Sequence, residues 1–279
     1  MNRTSFLDAA RDAARVALAE DLAGYGDVSG AAFLGEGSAR VVARESGVLS
    51  GSAAFVAAAA LVDPVLRVRF VGADGEPFSA GATLASIHGP IAGMLAVERT
   101  GLNFLGRLSG IATLTARYVA ETSGTKARIA ATRKTTPGLR ALEKQAVVHG
   151  GGVPHRFGLF DGVMIKDNHI AAAGGVLAAV ALVRTHAPHL HCFEVEVDTL
   201  EQLDEALAAG ASVVLLDNMG AAEVCDAVRR VAGRALVEVS GGVRLERVRE
   251  FATAGADIIS VGALTTRADW IDVGIDMET

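Results

Sequence analysis

The sequence predicts an α/β protein in two parts, a mixed α+β half followed by a barrel or partial barrel. Three observations carry that reading. From about residue 125 onward, short apolar runs rich in β-branched residues alternate with helical patterns, which predicts a parallel sheet. Nearly every such run ends in a polar or charged side chain, and Lys166, Glu196, Asp217 and Glu238 follow one another at spacings of 30, 21 and 21 residues, close to one βα unit each. No glycine-rich dinucleotide fingerprint is present, which favours a barrel over a dinucleotide-binding sheet.

The elements of the first half, residues 1 to about 110, follow in order. Leu7, Ala10, Ala14, Leu18 and Leu22 have helical spacing, and Gly24, Gly26 and Asp27 end the helix. Val41–Arg44 and Gly47–Leu49 read as two strands around a turn. The Ala-rich run 53–62 is helical up to Asp63-Pro64, because the residue before proline is pushed out of the α region. Leu66–Val71 alternates as a half-buried strand.

In the second half, strands are expected at 127–131, 162–165, 192–197, 213–216, 235–239 and 258–261. Helices are expected at 138–148, 172–186, 199–209, 220–232 and 243–254. In a barrel the polar strand ends ring the carboxyl-terminal mouth, where active sites sit. Ser240-Gly241-Gly242 and Gly262-Ala263 follow the last two strands, where glycine lets backbone N–H groups approach a phosphate. Thr132–Gly138, Gly150–Arg156 and Ile165–His169 bring Arg133, Lys134, His155, Arg156 and Lys166 to strand ends, a donor set suited to an anionic ligand.

Composition narrows the chemistry. The chain has 279 residues, 51% of them hydrophobic, and 26 basic against 32 acidic side chains give a net charge of −6. That is a globular composition, and its acidity argues against a nucleic-acid partner. Only four of the basic residues are Lys (126, 134, 144 and 166), all within 41 residues, so scarcity alone does not explain their placement. Cys192 and Cys225 are too far apart in sequence for a disulfide framework and are expected as buried free thiols. The N-terminus from Met1 to Asp8 has no signal-peptide core, and the uncharged stretch Pro77–Val97 is too polar to span a bilayer, so a cytoplasmic protein without membrane contact is expected. No Gly-x-Ser-x-Gly elbow, Walker loop or His/Cys metal cluster is present. A Schiff-base role for Lys166 stays open, although Glu196 and Asp217 suit Mg²⁺ or ribose hydroxyls better.

Several segments resemble quinolinate phosphoribosyltransferases: Thr132–Lys144 (TRKTTPGLRALEK), Gly150–Arg156, Ile165–His169 (IKDNH), Glu194–Asp198 (EVEVD), Leu215–Asn218 (LLDN), Ser240–Gly242 and Ser260–Thr265 (SVGALT). Glu20-Asp21-Leu22, Gly26-Asp27-Val28 and the stretch from Glu98-Arg99-Thr100 to Ser109-Gly110 are similar to the same family. The resemblance implies an N-terminal α/β sandwich over 1–110, an open α/β barrel over 111–267 and a tail, 268–279, returning to the sandwich. It implies a homodimer, or a higher oligomer of dimers, with sites shared between subunits. The implied reaction joins quinolinate to phosphoribosyl pyrophosphate, giving nicotinate mononucleotide, pyrophosphate and CO₂, with Mg²⁺. Arg99 (from the neighbouring subunit), Arg133, His155, Arg156 and Lys166 match the family's substrate-binding cations, and Lys134 and Lys166 also meet the phosphorylated donor. Glu196 and Asp217 match carboxylates placed near ribose and metal. With Lys134 and Lys166 they form the implied catalytic set. Ser240, Gly241, Gly242, Gly262 and Ala263 match the phosphate loop.

Four positions depart from the family pattern. Pro154 stands where Asn is usual, Val148 where Arg is, Gln145 where Tyr is, and Thr266 where His is. Val-Pro-His-Arg also resembles a molybdenum-associated paralogue of the same fold, which keeps a different acceptor as the alternative. A third reading is a non-catalytic barrel that binds anionic metabolites, against which stand the two acids Glu196 and Asp217.

Overall fold

The computed structural model describes residues 3–188 and 191–278. Met1 and Asn2, on which the N-terminal reading partly rests, and Thr279 of the tail lie outside the described residues. In chain order the elements are α1 (Arg3–Leu22), β1 (Glu36–Ala43), β2 (Gly47–Val48), α2 (Ser52–Val62), β3 (Arg67–Phe70), β4 (Pro77–Phe78), β5 (Thr83–Pro90), α3 (Ile91–Ala120), β6 (Arg128–Ala130), α4 (Arg140–His149), β7 (Val163–Ile165) and α5 (Asp167–Ala173). There follow α6 (Val176–His186), β8 (Phe193–Val197), α7 (Leu200–Ala208), β9 (Val213–Asp217), α8 (Ala221–Val231), β10 (Leu236–Ser240), α9 (Leu245–Ala254), β11 (Ile258–Ser260), α10 (Ala263–Thr266) and β12 (Val273–Glu278).

Two compact units emerge, Met1–Ala116 with Thr135–Gly151 and Thr265–Thr279, and Arg117–Lys134 with Gly152–Leu264. This division puts 111–116, 135–151 and 265–267 in the first unit, whereas the sequence boundaries assign them to the barrel. Residues 135–151, which hold α4, belong to the first unit, because Leu142, Glu143, Ala146 and Val147 are buried there along with α1 and α3.

The first unit is built on an antiparallel sheet of order β12-β1-β5-β3, with α1 and α2 packed together. Ala10, Ala14 and Leu18 form the buried stripe of α1 at four-residue intervals. Val41–Arg44 and Gly47–Leu49 are not partners: β1 pairs with β5 and β12, while β2 pairs with β4. The 30-residue α3 carries no expected helix because four glycines interrupt its apolar pattern. At least one of them has a packing reason, since a Cβ on Gly110 would stand 1.9 Å from the Asp269 carbonyl of the returning tail.

The second unit is a six-stranded parallel sheet of order β6-β11-β10-β9-β8-β7, with β6 and β7 as its two edges. The barrel is therefore open. Its strands are Val-, Leu- and Ile-rich, as a sheet covered by crossover helices requires. The helix expected at 172–186 is split into α5 and α6, because Gly174 turns left-handed at φ 84°. The cysteines correct the sequence reading: both are exposed. Cys192 precedes β8, and Cys225 lies one position from the buried Val224 on α8, turned away from the apolar stripe Val224–Ala227–Val231. Among the described residues no single helix is long and apolar enough to cross a membrane.

Candidate active site

The register of the parallel sheet sorts the inward-facing polar residues into two levels. Asp217, the last residue of β9, pairs with Ser240, the last of β10, while Glu238 pairs with Leu215 two residues earlier. Ser240 and Asp217 thus share the last level, while Glu238 and Glu196 are both level with Leu215; of these two, Glu238 is 1% exposed and Glu196 half-buried. Burial, not register, takes Glu238 out of the open mouth where the sequence reading placed it. The two-residue strand period puts Glu194 and Glu196 on one face of β8 and Glu238 and Ser240 on one face of β10.

At the mouth, Lys166 follows β7 and forms an ion pair with Glu196 of β8. Its backbone is fixed by the start of α5: the Lys166 N–H donates to His169 Nδ1 at 3.0 Å, and the His169 N–H donates to the Lys166 carbonyl at 2.8 Å. This accounts for the compact IKDNH segment. Asp217 is pushed above the usual carboxylate range by burial and by Asp198, with Lys166 and Lys134 pulling the other way. Lys134, Lys166, Glu196 and Asp217 are therefore one electrostatic group. Lys134 is anchored by its N–H on Thr132 Oγ1 at 3.1 Å, and its stem crosses Gly262, where an added Cβ would come within 3.1 Å of Cδ.

The phosphate-loop residues adjoin this group. Asn218, left-handed at φ 57°, donates its N–H to the Ser240 carbonyl at 3.1 Å and its side-chain amide to Asp217 at 2.7 Å. Gly241, at φ 93°, leaves no room for a side chain, because a Cβ would sit 2.3 Å from Asn218 Oδ1. Gly241→Ala is expected to displace Asn218 and the Ser240–Gly242 turn and to weaken binding of a phosphorylated ligand at least tenfold, measured by titration calorimetry against the parent protein. An unchanged affinity would remove this loop from the site. Gly242 continues the turn at φ 59°, and Ala263 opens α10 after Gly262.

A second group centres on His155. Val153 exchanges both backbone hydrogen bonds with β6, to Ile129 and Ala131, and Pro154, lacking an N–H, ends that pairing. His155 follows in a left-handed conformation at φ 50°. Its Nε2 lies 3.2 Å from Glu238 and 3.5 Å from Glu194, and its Nδ1 accepts the Arg156 N–H at 2.7 Å. The Arg156 guanidinium donates to the Gly162 carbonyl at 3.1 Å. Burial pulls Arg156 below its ordinary value, and the charge of Arg133 adds to that, so the two cations lie within electrostatic reach of each other. Two adjacent cations of this kind want a dianionic partner.

Burial disfavours a charged His155, but hydrogen bonds and charge from Glu194 and Glu238 outweigh it and raise the ring to about 9. Burial also raises Glu194. The triad thus retains an extra proton at neutral pH. Because the Arg156 amide claims the lone pair of Nδ1, the ring keeps its own proton on Nε2, and the extra proton of the triad sits on the carboxylate pair, where burial raises Glu194. The sign for stability follows. With an ordinary imidazole value of 6.5, the stabilisation from the proton that His155, Glu194 and Glu238 share is complete below about pH 6.5 and is lost as pH rises through about 9. Denaturant midpoints should fall more steeply between pH 7 and 10 in the parent than in a His155→Gln variant. Parallel curves would contradict the assignment.

Among the described residues, His155, Glu194 and Glu238 are the group of ligating side chains spaced for a metal. With Nε2 in direct hydrogen-bond contact with the carboxylates, the imidazole proton fills that centre. The oxygen-rich acids Glu196 and Asp217, with Asp198 close enough to raise Asp217, suit a hard cation better. A cavity of about 290 Å³ reaches His155, Arg156 and Glu194 from the amino-terminal starts of β8 and β9, at Phe193 and Val213. Lys166, Glu196 and Asp217 are not among its lining residues, so the cavity opens apart from that group.

Of the residues singled out in the sequence, the second unit brings together Arg133, Lys134, His155, Arg156, Lys166, Glu196, Asp217, Ser240, Gly241, Gly242, Gly262 and Ala263. Arg99 is exposed on α3 in the first unit. Sequence reasoning missed Glu194 and Ser260 as partners of His155 and Glu238, and it missed the ion pair of Arg107 with the buried Glu143 in the first unit. The two-residue strand period was the available signal for Glu194.

The family description "Quinolinate phosphoribosyl transferase, N-terminal domain" matches residues 31–109, and "Quinolinate phosphoribosyl transferase, C-terminal domain" matches residues 111–276. The chain is 46% identical over 283 residues to the nicotinate-nucleotide pyrophosphorylase [carboxylating] of Mycobacterium leprae, covering 97% of this chain and 98% of that one. It is 42% identical over 260 residues to a probable enzyme of the same name from Bacillus subtilis, covering 92% and 90%. Among solved structures, the nicotinate-nucleotide pyrophosphorylase of Francisella tularensis superposes with a TM-score of 0.94 at 35% identity, covering 98% of this chain and 97% of that one.

Proposed function

The chain belongs to the quinolinate phosphoribosyltransferase family, and we propose that its reaction takes place at the mouth of the open barrel described above. The protein transfers the phosphoribosyl group of phosphoribosyl pyrophosphate to quinolinate, releasing pyrophosphate and CO₂ and giving nicotinate mononucleotide for NAD biosynthesis. The observation that carries the placement is the Lys134–Lys166–Glu196–Asp217 group beside the Ser240–Gly242 turn.

In this reading Lys134 and the Ser240, Gly241, Gly242, Gly262 and Ala263 backbone hold the phosphorylated donor. Glu196 and Asp217 face the ribose. The C1–O bond to pyrophosphate breaks with its electron pair leaving on the pyrophosphate, and the two carboxylates stabilise the positive charge on the sugar. The pyridine nitrogen then supplies its lone pair to C1. Once quaternised, the ring takes up the electron pair released when the bond to the adjacent carboxylate breaks and CO₂ departs, and a proton completes the product. Arg133, Arg156 and Lys166, with Arg99 from a neighbouring subunit, hold the two carboxylates of quinolinate, and His155 stands beside Arg156 in the same cationic set. Glu196 and Asp217 would hold Mg²⁺, which supplies neutralisation of the pyrophosphate charge. A homodimer in the cytoplasm completes the proposal. The exposed Arg99 on α3 supports the first part, and size-exclusion chromatography with light scattering tests it.

Incubation with phosphoribosyl pyrophosphate, Mg²⁺ and a panel of pyridine and purine acceptors tests the acceptor. Nicotinate mononucleotide from quinolinate supports the reading. Pyrophosphate release with another acceptor alone would support the paralogous enzyme that Pro154 and Thr266 suggest, and the relatives named above do not favour that alternative.

A further inference from the structure

Three buried polar side chains have no role in the reaction as proposed: Glu194, Glu238 and Ser260. Glu238 is 1% exposed, and a carboxylate so placed needs partners or it is neutralised. It has two. The Ser260 hydroxyl donates to Oε1 from the next strand, and His155 Nε2 approaches the same oxygen at 3.2 Å. From there the contacts continue in one direction. His155 Nδ1 takes the Arg156 N–H at 2.7 Å, and the Arg156 guanidinium is tied to the Gly162 carbonyl at 3.1 Å.

Both nitrogens of His155 are thereby occupied by the protein itself. A ring in that state does not reach out to a substrate; it holds its neighbour. We propose that Glu238 is a positioning residue, which with Ser260 behind it fixes the His155 ring and through it the stance of Arg156 toward the carboxylates of the acceptor. This rests on the reading of Arg156 as an acceptor-binding cation. It reassigns His155 from a direct contact to the middle of a carboxylate–imidazole–amide chain.

The left-handed backbone at His155 fits this role. A non-glycine residue at φ 50° persists only where its surroundings over-determine it. Here the surroundings are Val153, paired to β6, on one side and the Glu238 and Arg156 contacts on the other. Glu194, at 3.5 Å, adds charge to the same nitrogen, but its other oxygen, Oε1, has no hydrogen-bond partner among the described residues, so it is the weaker brace.

The test compares Glu238→Leu, which removes the acceptor, with Glu238→Gln, which keeps Oε1 for both Ser260 and His155. In Glu238→Leu the KM for quinolinate should rise by about tenfold or more, the scale of a small misplacement of a binding group, with the KM for phosphoribosyl pyrophosphate and kcat within about twofold of the parent. Glu238→Gln should stay within about threefold throughout. Nitrogen NMR of histidine-labelled protein gives a readout independent of turnover: His155 should hold its proton on Nε2 in the parent and in Glu238→Gln, and should lose that preference in Glu238→Leu. The proposal is overturned if Glu238→Leu leaves the quinolinate KM unchanged or raises both KM values alike. It is equally overturned if the parent shows its proton on Nδ1, a result that stands even where Glu238→Leu fails to fold. A parent protein that makes no nicotinate mononucleotide would sink the proposed function, and the NMR result would still decide the placement of His155.

Discussion

Lys166→Ala is expected to lower quinolinate turnover by about 10²–10³-fold, the range for losing one preorganised charged donor from a partly desolvated site. Lys166 sits at the carboxyl end of edge strand β7, paired with Glu196 and within electrostatic reach of Asp217. Without it, Glu196 loses its cation, and Asp217 keeps Lys134 as the remaining lysine pulling against Asp198 and Asp167. The local charge balance tips toward repulsion of an anionic substrate. The residue lies in a partly exposed loop, so folding should survive, and circular dichroism of the variant should overlay that of the parent. Lys166→Arg should not restore activity, because a planar guanidinium cannot take the place of a compact ammonium at the strand end. Formation of nicotinate mononucleotide under saturating substrates measures the effect. A loss smaller than threefold would remove Lys166 from the reaction.

The second large effect concerns stability. Arg107→Ala is expected to destabilise the protein by about 3–5 kcal/mol, because it strands a buried carboxylate. Glu143 is 0% exposed on α4 and accepts from Arg107 Nη2 at 2.8 Å, from the Thr136 N–H at 3.0 Å and from the Thr136 hydroxyl at 2.8 Å. Arg107, on α3, also donates to the carbonyls of Thr265 and Ala268. One ion pair therefore joins α3, the segment that begins two residues after Lys134, α10 and the tail. Removing both charges with Arg107→Met and Glu143→Leu together should cost less than the single change, since no lone buried charge remains. The residual cost comes from the unpaired Thr136 N–H, about 1–3 kcal/mol. Urea unfolding of the two variants gives the comparison, and a double variant less stable than Arg107→Ala would contradict the account.

Much of this was legible in the chain. The parallel sheet announced itself through β-branched runs at regular intervals, and each expected strand from 127 to 261 appears within a residue or two of its place. Strand ends found the mouth because polarity must change where a strand leaves the core. The first half was harder. β1 and β2 looked like a hairpin because they are adjacent in sequence, yet their partners β5, β12 and β4 lie far along the chain, and local pattern carries no information about such pairing. The α3 glycines masked a helix, because their value lies in a contact with Asp269 that only the tertiary structure creates. Glu238 was legible as polar but not as buried, since Ser260 and His155, which cover it, come from other parts of the chain. The lysine cluster was a partial signal. Lys134 and Lys166 reach the mouth, Lys126 pairs with Asp257, and Lys144 is buried in α4.

The central claim is that this barrel mouth couples phosphoribosyl transfer to decarboxylation. Quinolinate carrying an isotopic label in its 2-carboxylate, incubated with phosphoribosyl pyrophosphate and Mg²⁺, tests it most directly. The predicted result is labelled CO₂, nicotinate mononucleotide and pyrophosphate in equal amounts, all lost together in Lys166→Ala. Pyrophosphate released without labelled CO₂, or label retained in a nucleotide product, would contradict it.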